Sequence, residues 1–257
     1  MIPLDKLITT LNDILLYDRT LNLVKIDPYM PDGLQVKGNN EIKKIGFGVS
    51  ASLDLFKMAL ENKCQALIVH HGLSLPPSNR YDALFQNRLS YLIENKISLF
   101  GYHFLMDSHP QIGHNVEIIK TIGGKPSKPY FHQGEPWGYE GEINKTLDEI
   151  IEILKPLSSP TMKIYPFGTS HIRKAVAVSG KGTPYPGDMQ YLVDNDIDLY
   201  ITGETSEWVR DMFKESQINF IAAGHYYSER FGLIALKKEL QNKLSVEMEF
   251  LELVNEV

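Results

Sequence analysis

The stretch Ala66-Leu67-Ile68-Val69-His70-His71-Gly72 lies at the centre of the predicted fold. A short apolar run bounded by polar positions is typical of a strand that is buried on both faces of a parallel sheet. Neighbouring side chains of a strand point to opposite faces, so His70 and His71 can reach one site only where the strand ends and turns. Gly72 permits that turn. The stretch therefore predicts a buried strand that delivers two metal ligands at its carboxyl end.

Similar strands alternate with amphipathic helices along both halves of the chain. In the first half, the predicted elements are strands at residues 44–50, 66–69 and 97–102 and helices at 53–62 and 81–95, with a loop at Pro76 and Pro77. In the second half, they are strands at 174–179, 199–202 and 218–223 and helices at 188–194 and 207–215. This alternation indicates parallel strands with helical crossovers, so we expect an α/β fold of two similar halves that face each other across a metal-containing cleft. A duplication would leave this repeat, and unrelated βα units can also resemble each other.

Elements outside this repeat are predicted at both termini and between the halves. The predicted elements are an N-terminal helix at residues 4–15, a hairpin around 134–138, a helix at 146–154 and a closing helix and strand at 232–241 and from 246 onward. Thr146 and Glu149 stand at the spacing of a capping box, which favours a helix start at this position.

The composition limits the possible partners and the compartment. The net charge of −6 argues against a surface that binds polyanions, so nucleic acid is not an expected partner. Cys64 is the only cysteine, which excludes an internal disulfide and a cysteine-based zinc site. The N-terminus lacks the pattern of a secretory signal and no apolar stretch is long enough to span a bilayer. We therefore expect a cytoplasmic protein.

In both halves a histidine comes shortly after the last predicted strand, and a carboxylate follows that histidine four residues later. These pairs are His103 with Asp107 and His225 with Glu229. Because ligands of open α/β sheets bind beyond the carboxyl ends of strands, we expect both pairs in the same cleft as the double histidine. Four imidazoles and two carboxylates exceed the needs of one tetrahedral ion that keeps an open position, which predicts two divalent ions. Imidazole with carboxylate suits Zn, Fe, Mn, Co or Ni, and the sequence does not choose among them.

Two neighbouring ions would make metal-assisted hydrolysis the natural chemistry, because they lower the pKa of a bridging water and bind the oxygens of the substrate. A structural or storage site would use the same ligands without turnover. Glu204 ends the strand that corresponds to the one with the double histidine, so it is a candidate general base or substrate contact. A solvated carboxylate fits that position equally well.

Several other features have less specific interpretations. The segment Ser179-Gly180-Lys181-Gly182-Thr183 could form a backbone nest for a phosphate, although its spacing is not that of a Walker A motif and favours a plain strand-to-helix loop. Trp137 and Trp208 could line a pocket, but large aromatic residues usually serve packing. Polar surroundings predict a position on the surface or beside the ligands for four further histidines, which are His109, His114, His132 and His171.

The chain resembles the Nif-three-like family, whose members are also called dinuclear metal centre proteins or GTP cyclohydrolase 1 type 2 homologues. The resemblance covers nearly the whole chain and rests on five motifs in order, which are Asp32-Gly33-Leu34-Gln35-Val36, Val69-His70-His71-Gly72, Tyr102-His103 through Asp107, Ile201-Thr202-Gly203-Glu204 and Ala223-Gly224-His225-Tyr226-Tyr227-Ser228-Glu229. At Gly72 many members have proline, and the glycine form is similar to the shorter branch that lacks an inserted third domain.

This resemblance implies a two-domain α/β subunit that assembles into a toroidal homohexamer. We expect the first domain to comprise residues 1–125 plus 226–257 and the second to comprise 126–225. The resemblance also implies a two-metal site, with Glu229 bridging the ions and His103 as a ligand or a neighbour; the implied ligands are His70, His71, Asp107, His225 and Glu229.

Two functions of different classes follow from these features. The first is a metal-dependent hydrolase that acts on a small molecule, such as a nucleotide or another cyclic C–N compound. The second is a non-catalytic metal-handling or regulatory scaffold that presents bound metal to a partner. A ring that encircles DNA is a weaker third hypothesis, because the net charge disfavours it.

Overall fold

The structure is a computed structural model that describes residues 1–74 and 81–256. The predicted loop at Pro76 and Pro77 lies outside the described residues. Contacts between residues divide the chain into two compact units. The first unit comprises Met1–Met106 and Leu233–Leu253, and the second comprises Asp107–Gly232 together with the residues from Val254 on. We describe each unit by itself.

The strands and helices are numbered in chain order. The strands are β1 (Ile2–Pro3), β2 (Gly33–Val36), β3 (Glu41–Ile42), β4 (Lys44–Ser50), β5 (Ala66–His71), β6 (Ser98–Gly101), β7 (Lys125–His132), β8 (Glu135–Thr146), β9 (Lys163–Tyr165), β10 (His171–Val178), β11 (Leu199–Thr202), β12 (Asn219–Ala222) and β13 (Glu247–Phe250). The helices are α1 (Leu4–Leu15), α2 (Leu23–Ile26), α3 (Leu53–Glu61), α4 (Ala83–Glu94), α5 (Phe104–Ser108), α6 (His114–Thr121), α7 (Leu147–Leu154), α8 (Pro186–Asp194), α9 (Glu207–Ser216), α10 (His225–Ser228) and α11 (Phe231–Lys243), and a 3-10 turn spans Lys155–Leu157.

The first unit is built on a five-stranded sheet with the order β13-β4-β5-β6-β2. Strands β13, β4, β5 and β6 run parallel, whereas β2 is antiparallel to β6. The central position of β5 explains why its residues from Ala66 to His70 are buried. Helices α3 and α4 cover this sheet with apolar side chains, among them Leu55, Phe56 and Leu92. The sequence prediction of a buried parallel strand at this position is confirmed.

The second unit is built on a six-stranded sheet with the order β7-β8-β10-β11-β12-β9. Strands β10, β11 and β12 are parallel neighbours, with the end of β10 at Val178 paired to Thr202 of β11 and Thr202 paired to Ala222 of β12. Strand β9 is antiparallel to β12, and β7 and β8 form an antiparallel hairpin. The strand-helix alternation predicted for each half therefore exists, and the α/β fold class is confirmed.

Helix α6 belongs to the second unit and explains why that unit begins before the hairpin of β7 and β8. Helix α6, which the sequence did not predict, packs Ile118 and Ile119 into one apolar core with Ile143 of β8 and Ala175 of β10. The contacts therefore divide the chain after Met106, whereas the sequence placed the division after residue 125. Helix α7 begins as predicted, because the Thr146 side chain and its i+3 carboxylate form a capping box.

Within residues 1–74 and 81–256, none of the helices is both long enough and apolar enough to cross a membrane.

Candidate metal centre

Three histidines of the first unit form a cluster, which we call the imidazole cluster: His70, His71 and His103. The first two end β5, and His103 follows β6, the parallel neighbour of β5. One ring nitrogen of each residue lies within 4.8 Å of the others. The ring centroids are 4.6 to 5.3 Å apart. The strand register therefore brings three potential nitrogen ligands to the carboxyl edge of one sheet.

The hydrogen bond of His70 fixes which of its nitrogens can bind a metal. The Nδ1 atom lies 3.0 Å from the backbone oxygen of Tyr102, and His70 is fully buried. A carbonyl oxygen can only accept, so Nδ1 must donate its proton. In the neutral ring, the lone pair is then on Nε2, which is the tautomer of a metal-binding imidazole oriented by a backbone carbonyl.

His71 is oriented by a neighbouring strand, and the chain that follows it is clamped. Its Nδ1 atom lies 2.9 Å from Oγ of Ser50, its register partner on β4. Beyond it, the Gln35 side chain accepts a hydrogen bond of 2.7 Å from the backbone N–H of Leu73. A Cβ atom at Gly72 would lie 2.4 Å from that side-chain oxygen. A residue with a Cβ at this position would therefore require the end of the Gln35 side chain to shift.

His103 is held by two carboxylates of the loop that precedes β2. Its Nδ1 atom lies 2.5 Å from Asp27 Oδ2, and its backbone N–H donates to Asp32 Oδ1 over 3.1 Å. Burial, together with the negative charge of Asp27, raises the pKa of Asp32 to about 7. A carboxylate that accepts from Nδ1 directs Nε2 of a histidine toward a ligand, as in the carboxylate–histidine pairs of metal sites.

The second unit contains a histidine between two carboxylates, and we call this group the His225 cluster: His225, Glu204 and Glu229. The Nδ1 atom of His225 lies 2.5 Å from Oε1 of Glu204, and its Nε2 atom lies 3.1 Å from Oε1 of Glu229. Burial lowers the pKa of His225, but the two carboxylates raise it more strongly, to about 9. The protonated ring donates one N–H to each carboxylate, and a cation bound at Nε2 would displace the proton on that nitrogen.

The Glu229 carboxylate is buried against a glycine. Gly180 follows β10 with φ of +58°, and a Cβ atom on it would lie 2.1 Å from Oε1 of Glu229. The backbone N–H of Gly180 donates to Ser228 Oγ over 2.9 Å. The loop after β10 therefore packs against Glu229, a candidate metal ligand. This role favours the plain strand-to-helix loop over the phosphate nest.

Asp107 is buried and bound to the same loop. Its Oδ1 atom accepts a hydrogen bond of 2.7 Å from Ser179 Oγ. Asn115 strengthens this arrangement, since its side chain donates to the backbone oxygen of Asp107 over 3.1 Å and accepts from the Ser179 N–H over 2.7 Å. The sequence reasoning did not identify Asn115, because a lone asparagine beside a histidine has no recognisable spacing.

The four remaining histidines differ in position. His171 is exposed, as the surface alternative predicted, whereas a surface position is wrong for the other three, which are buried. The Nδ1 atom of His114 accepts from the Gly232 backbone N–H over 3.0 Å, so its neutral ring carries the proton on Nε2. His109 accepts two backbone N–H groups, and His132 lies 3.3 Å from an Asp188 oxygen. The partners of His114 and His132 are distant in sequence, which is why polar sequence neighbours gave no sign of their burial.

The donor groups fit a borderline divalent ion. They are imidazole nitrogens and carboxylate oxygens, which suit Zn, Fe, Mn, Co or Ni. Each predicted ligand histidine has its Nδ1 atom engaged by a hydrogen-bonding partner in its own unit. Cys64, the only cysteine of the sequence, lies in the apolar core of the first unit instead. The residues present therefore match the chemistry of a metal site without thiolate ligands.

Known proteins resemble this chain in sequence and in structure. The sequence profile of the Duf34/NIF3 family (NGG1p interacting factor 3) matches residues 9–256. A protein of Archaeoglobus fulgidus named GTP cyclohydrolase 1 type 2 homolog is 33% identical over 225 residues, which cover 86% of this chain and 89% of the relative. A protein of the same name from Haemophilus influenzae is 33% identical over 247 residues, which cover 93% and 96%.

Two solved structures share the fold over their full length. The protein TTHA1606 from Thermus thermophilus is 27% identical with a TM-score of 0.84, and the match covers 100% of both chains. The protein ybgI, described as of unknown function, is 28% identical with a TM-score of 0.82, again over 100% of both chains.

Proposed function

This chain belongs to the Duf34/NIF3 family, and from that premise we propose that it binds two divalent metal ions and uses them to hydrolyse a small-molecule substrate. The imidazole cluster is the observation that carries this proposal. One ring nitrogen of each of these histidines lies within 4.8 Å of the others. In the fully buried His70, Nδ1 donates to the Tyr102 carbonyl, so the lone pair of the neutral ring is on Nε2. The Asp27 carboxylate orients His103 in the same way.

We propose that six side chains would hold the ions, which are those of His70, His71, His103, Asp107, His225 and Glu229. The assignment is supported by the burial of both carboxylates and by the hydrogen bonds that orient each of these side chains. Bound divalent ions polarise substrate oxygens and lower the pKa of water, which is the chemistry of metal-assisted hydrolysis.

Glu204 takes a positioning role in this proposal. Its carboxylate accepts a hydrogen bond from Nδ1 of His225, which turns Nε2 toward Glu229. This hydrogen bond also makes the imidazole a stronger electron-pair donor to a metal ion. The side chain is partly exposed, so it can also contact a substrate at the edge of the cluster. Ser179 and Asn115 hold Asp107 in the same manner, by hydrogen bonds that fix its carboxylate and its backbone.

The names of the relatives support a substrate class, and the assembly is a separate proposal. Relatives named GTP cyclohydrolase 1 type 2 homolog make nucleotides and other cyclic C–N compounds the first candidates for hydrolysis. We further propose a toroidal homohexamer, whose mass can be measured by light scattering. A net charge of −6 disfavours DNA as a partner of such a ring.

The test compares two histidine variants of the metal-loaded protein. We expect His71→Ala to lower the bound metal measured by elemental analysis and to abolish turnover in a screen of nucleotides, cyclic amides and phosphoesters. The matched control is His171→Ala, because His171 is exposed and lies outside both clusters. The proposal fails if the wild-type protein loads no metal, or if the loaded protein hydrolyses nothing in the screen. Retained metal without turnover would favour a metal-handling scaffold.

A further inference from the structure

Tyr185 and Trp208 present an exposed aromatic surface in the second unit, and we call this pair the aromatic platform. Their ring centroids lie 6.2 Å apart, with 26° between the ring planes. Tyr185 is 52% exposed and Trp208 is 38% exposed. Tyr and Trp usually bury most of their surface, so two near-parallel rings that remain partly in water are suited to stack against a further ring.

The Tyr185 ring is supported from within the unit. His132, which is buried, lies with its ring 6.2 Å away and at 14° to the ring of Tyr185. Asp188 joins the two residues, because its Oδ2 atom accepts from the Tyr185 backbone N–H over 2.9 Å and lies 3.3 Å from His132 Nδ1. His132 and Asp188 therefore hold the Tyr185 residue in place, which lowers the entropic cost of binding a ligand ring against it.

Hydrogen bonds join the platform to the His225 cluster through two neighbouring loops. The backbone N–H groups of Gly203 and Glu204 donate to the Gly180 oxygen over 3.0 and 3.1 Å. Thr183 Oγ1 donates to the Glu204 oxygen over 3.1 Å. These bonds hold the loop after β10 against the loop after β11. The first loop ends at Tyr185, and Trp208 lies in the first turn of the helix that follows the second loop.

The chain lengths from these hydrogen bonds to the platform are short. Tyr185 is two residues beyond Thr183, so their Cα atoms are at most about 7.6 Å apart. Trp208 is four residues beyond Glu204, in the first turn of α9. Both platform residues therefore lie only a few residues along the chain from the loops that carry Gly180 and Glu204.

We propose that the aromatic platform is a stacking subsite for the planar heteroaromatic ring of a ligand whose other end lies at the His225 cluster. Every heteroaromatic base has a π-face, so two aromatic rings select a flat ring system rather than one particular base. Sugars, linear amides and aliphatic chains have no such face. The assignment of the reacting end rests on the proposed function, whereas stacking on the platform does not require turnover.

The experiment uses Trp208 as its own reporter. The sequence contains two tryptophans, Trp137 and Trp208, so the full-length Trp137→Phe variant fluoresces from Trp208. This variant is titrated with adenosine, AMP and ribose 5-phosphate, once after treatment with chelator and once after loading with metal. We expect saturable quenching by adenosine and AMP in both preparations and none by ribose 5-phosphate, which lacks the planar ring.

Variants of the same protein test whether the ring of Tyr185 is responsible. We expect Tyr185→Leu to weaken adenosine binding about 5- to 100-fold, the range for loss of a base–aromatic stack, and Tyr185→Phe to retain it. The matched control is Tyr81→Ala, because Tyr81 is 53% exposed and stacks on Phe85 in the first unit. Tyr81→Ala should leave adenosine binding unchanged.

The possible outcomes separate this inference from the proposed function. No quenching by adenosine, equal quenching by ribose 5-phosphate, or an unchanged affinity in Tyr185→Leu overturns the platform. Hydrolysis of non-aromatic substrates alone also overturns it, while leaving the proposed function intact. Quenching that depends on Tyr185 in a protein without any turnover supports the platform and removes the hydrolase proposal.

Discussion

Replacing Gly180 with alanine should weaken metal binding far more than it weakens folding. A Cβ atom at this position would lie 2.1 Å from Glu229 Oε1 and 3.1 Å from His225 Nε2. To reach the 3.4 Å of ordinary contact, the carboxylate or the loop must move by about 1 Å. Metal ligands tolerate deviations of only about 0.2 Å. We therefore expect the metal affinity of Gly180→Ala to fall about 10- to 100-fold, the range for disturbed support of a ligand.

The same substitution also has a conformational cost. Gly180 has φ of +58°, a left-handed conformation that costs a residue with a Cβ about 1 to 2 kcal/mol. For a chain of this length, that loss lowers Tm by about 2 to 8 °C. The matched control is Gly134→Ala, since Gly134 has φ of +86° but, apart from its chain neighbours, no atom of the described residues lies within 4 Å of the position of its Cβ. Gly134→Ala should show the loss of stability and keep the metal affinity.

The assay is competition for metal with a chromophoric chelator, together with thermal unfolding followed by circular dichroism. We expect both variants to lose stability through the left-handed conformation and only Gly180→Ala to lose metal affinity. Equal metal affinities in the two variants would refute this expectation, because the contact of Gly180 with Glu229 would then have no influence on a bound ion.

Three further predictions concern single side chains. Burial raises the pKa of the Cys64 thiol to about 11, so its reaction with a disulfide reagent at pH 8 should be about 100-fold slower in the folded than in the unfolded chain. The folded state holds the thiol proton more tightly than the unfolded state does. The contribution of Cys64 to the free energy of unfolding is therefore complete below about pH 8.5 and is lost as the pH rises toward 11. The Cys64→Ala variant should lack this dependence of stability on pH. Thr146→Ala should lower the free energy of unfolding in urea by about 1 kcal/mol, through loss of the α7 cap, whereas Thr205→Ala in the half-buried loop before α9 should not. Glu204→Gln should weaken metal binding about 10- to 100-fold, whereas Glu207→Gln at the exposed start of α9 should leave it unchanged.

Each of these predictions has a contrary result. Fast modification of Cys64 in the folded protein would show that the thiol is accessible. Equal urea midpoints for Thr146→Ala and the wild type would show that the capping box adds no stability. An unchanged metal affinity in Glu204→Gln would show that the charge of Glu204 does not act on His225.

The sequence predicts the sheet cores well because their patterns are local. Strands β4 and β11 have the predicted bounds, since a short run of apolar residues between polar positions is sufficient evidence for a buried strand. The capping box of α7 is equally local, because both of its partners lie within one helical turn.

Helix α6 shows where local patterns fail. Its N-cap residue is Gly113, which offers no side chain to accept a backbone N–H, and its sequence begins with His114 and Asn115. Asn, His and glycine favour turns in an isolated segment, so the sequence predicts no helix here. Packing of Ile118 and Ile119 into the core of the second unit overrides these preferences.

The candidate ligands were predictable as residue types, but their orientation was not. The histidines bind at Nδ1 to groups on other segments: His70 to Tyr102, His71 to Ser50, His103 to Asp27 and His225 to Glu204, pairs that are between 21 and 76 residues apart in sequence. No spacing rule connects partners at such distances, because three of the pairs meet only when parallel strands align their carboxyl ends and the fourth when the Asp27 loop folds back. The chemical type of the partner also differs from ring to ring, being a carbonyl, a hydroxyl and two carboxylates. What the four pairs share is that the partner contacts Nδ1, which leaves Nε2 as the other ring nitrogen. A variant that keeps a ligand histidine but removes its Nδ1 partner should therefore weaken metal binding without changing the ligand set.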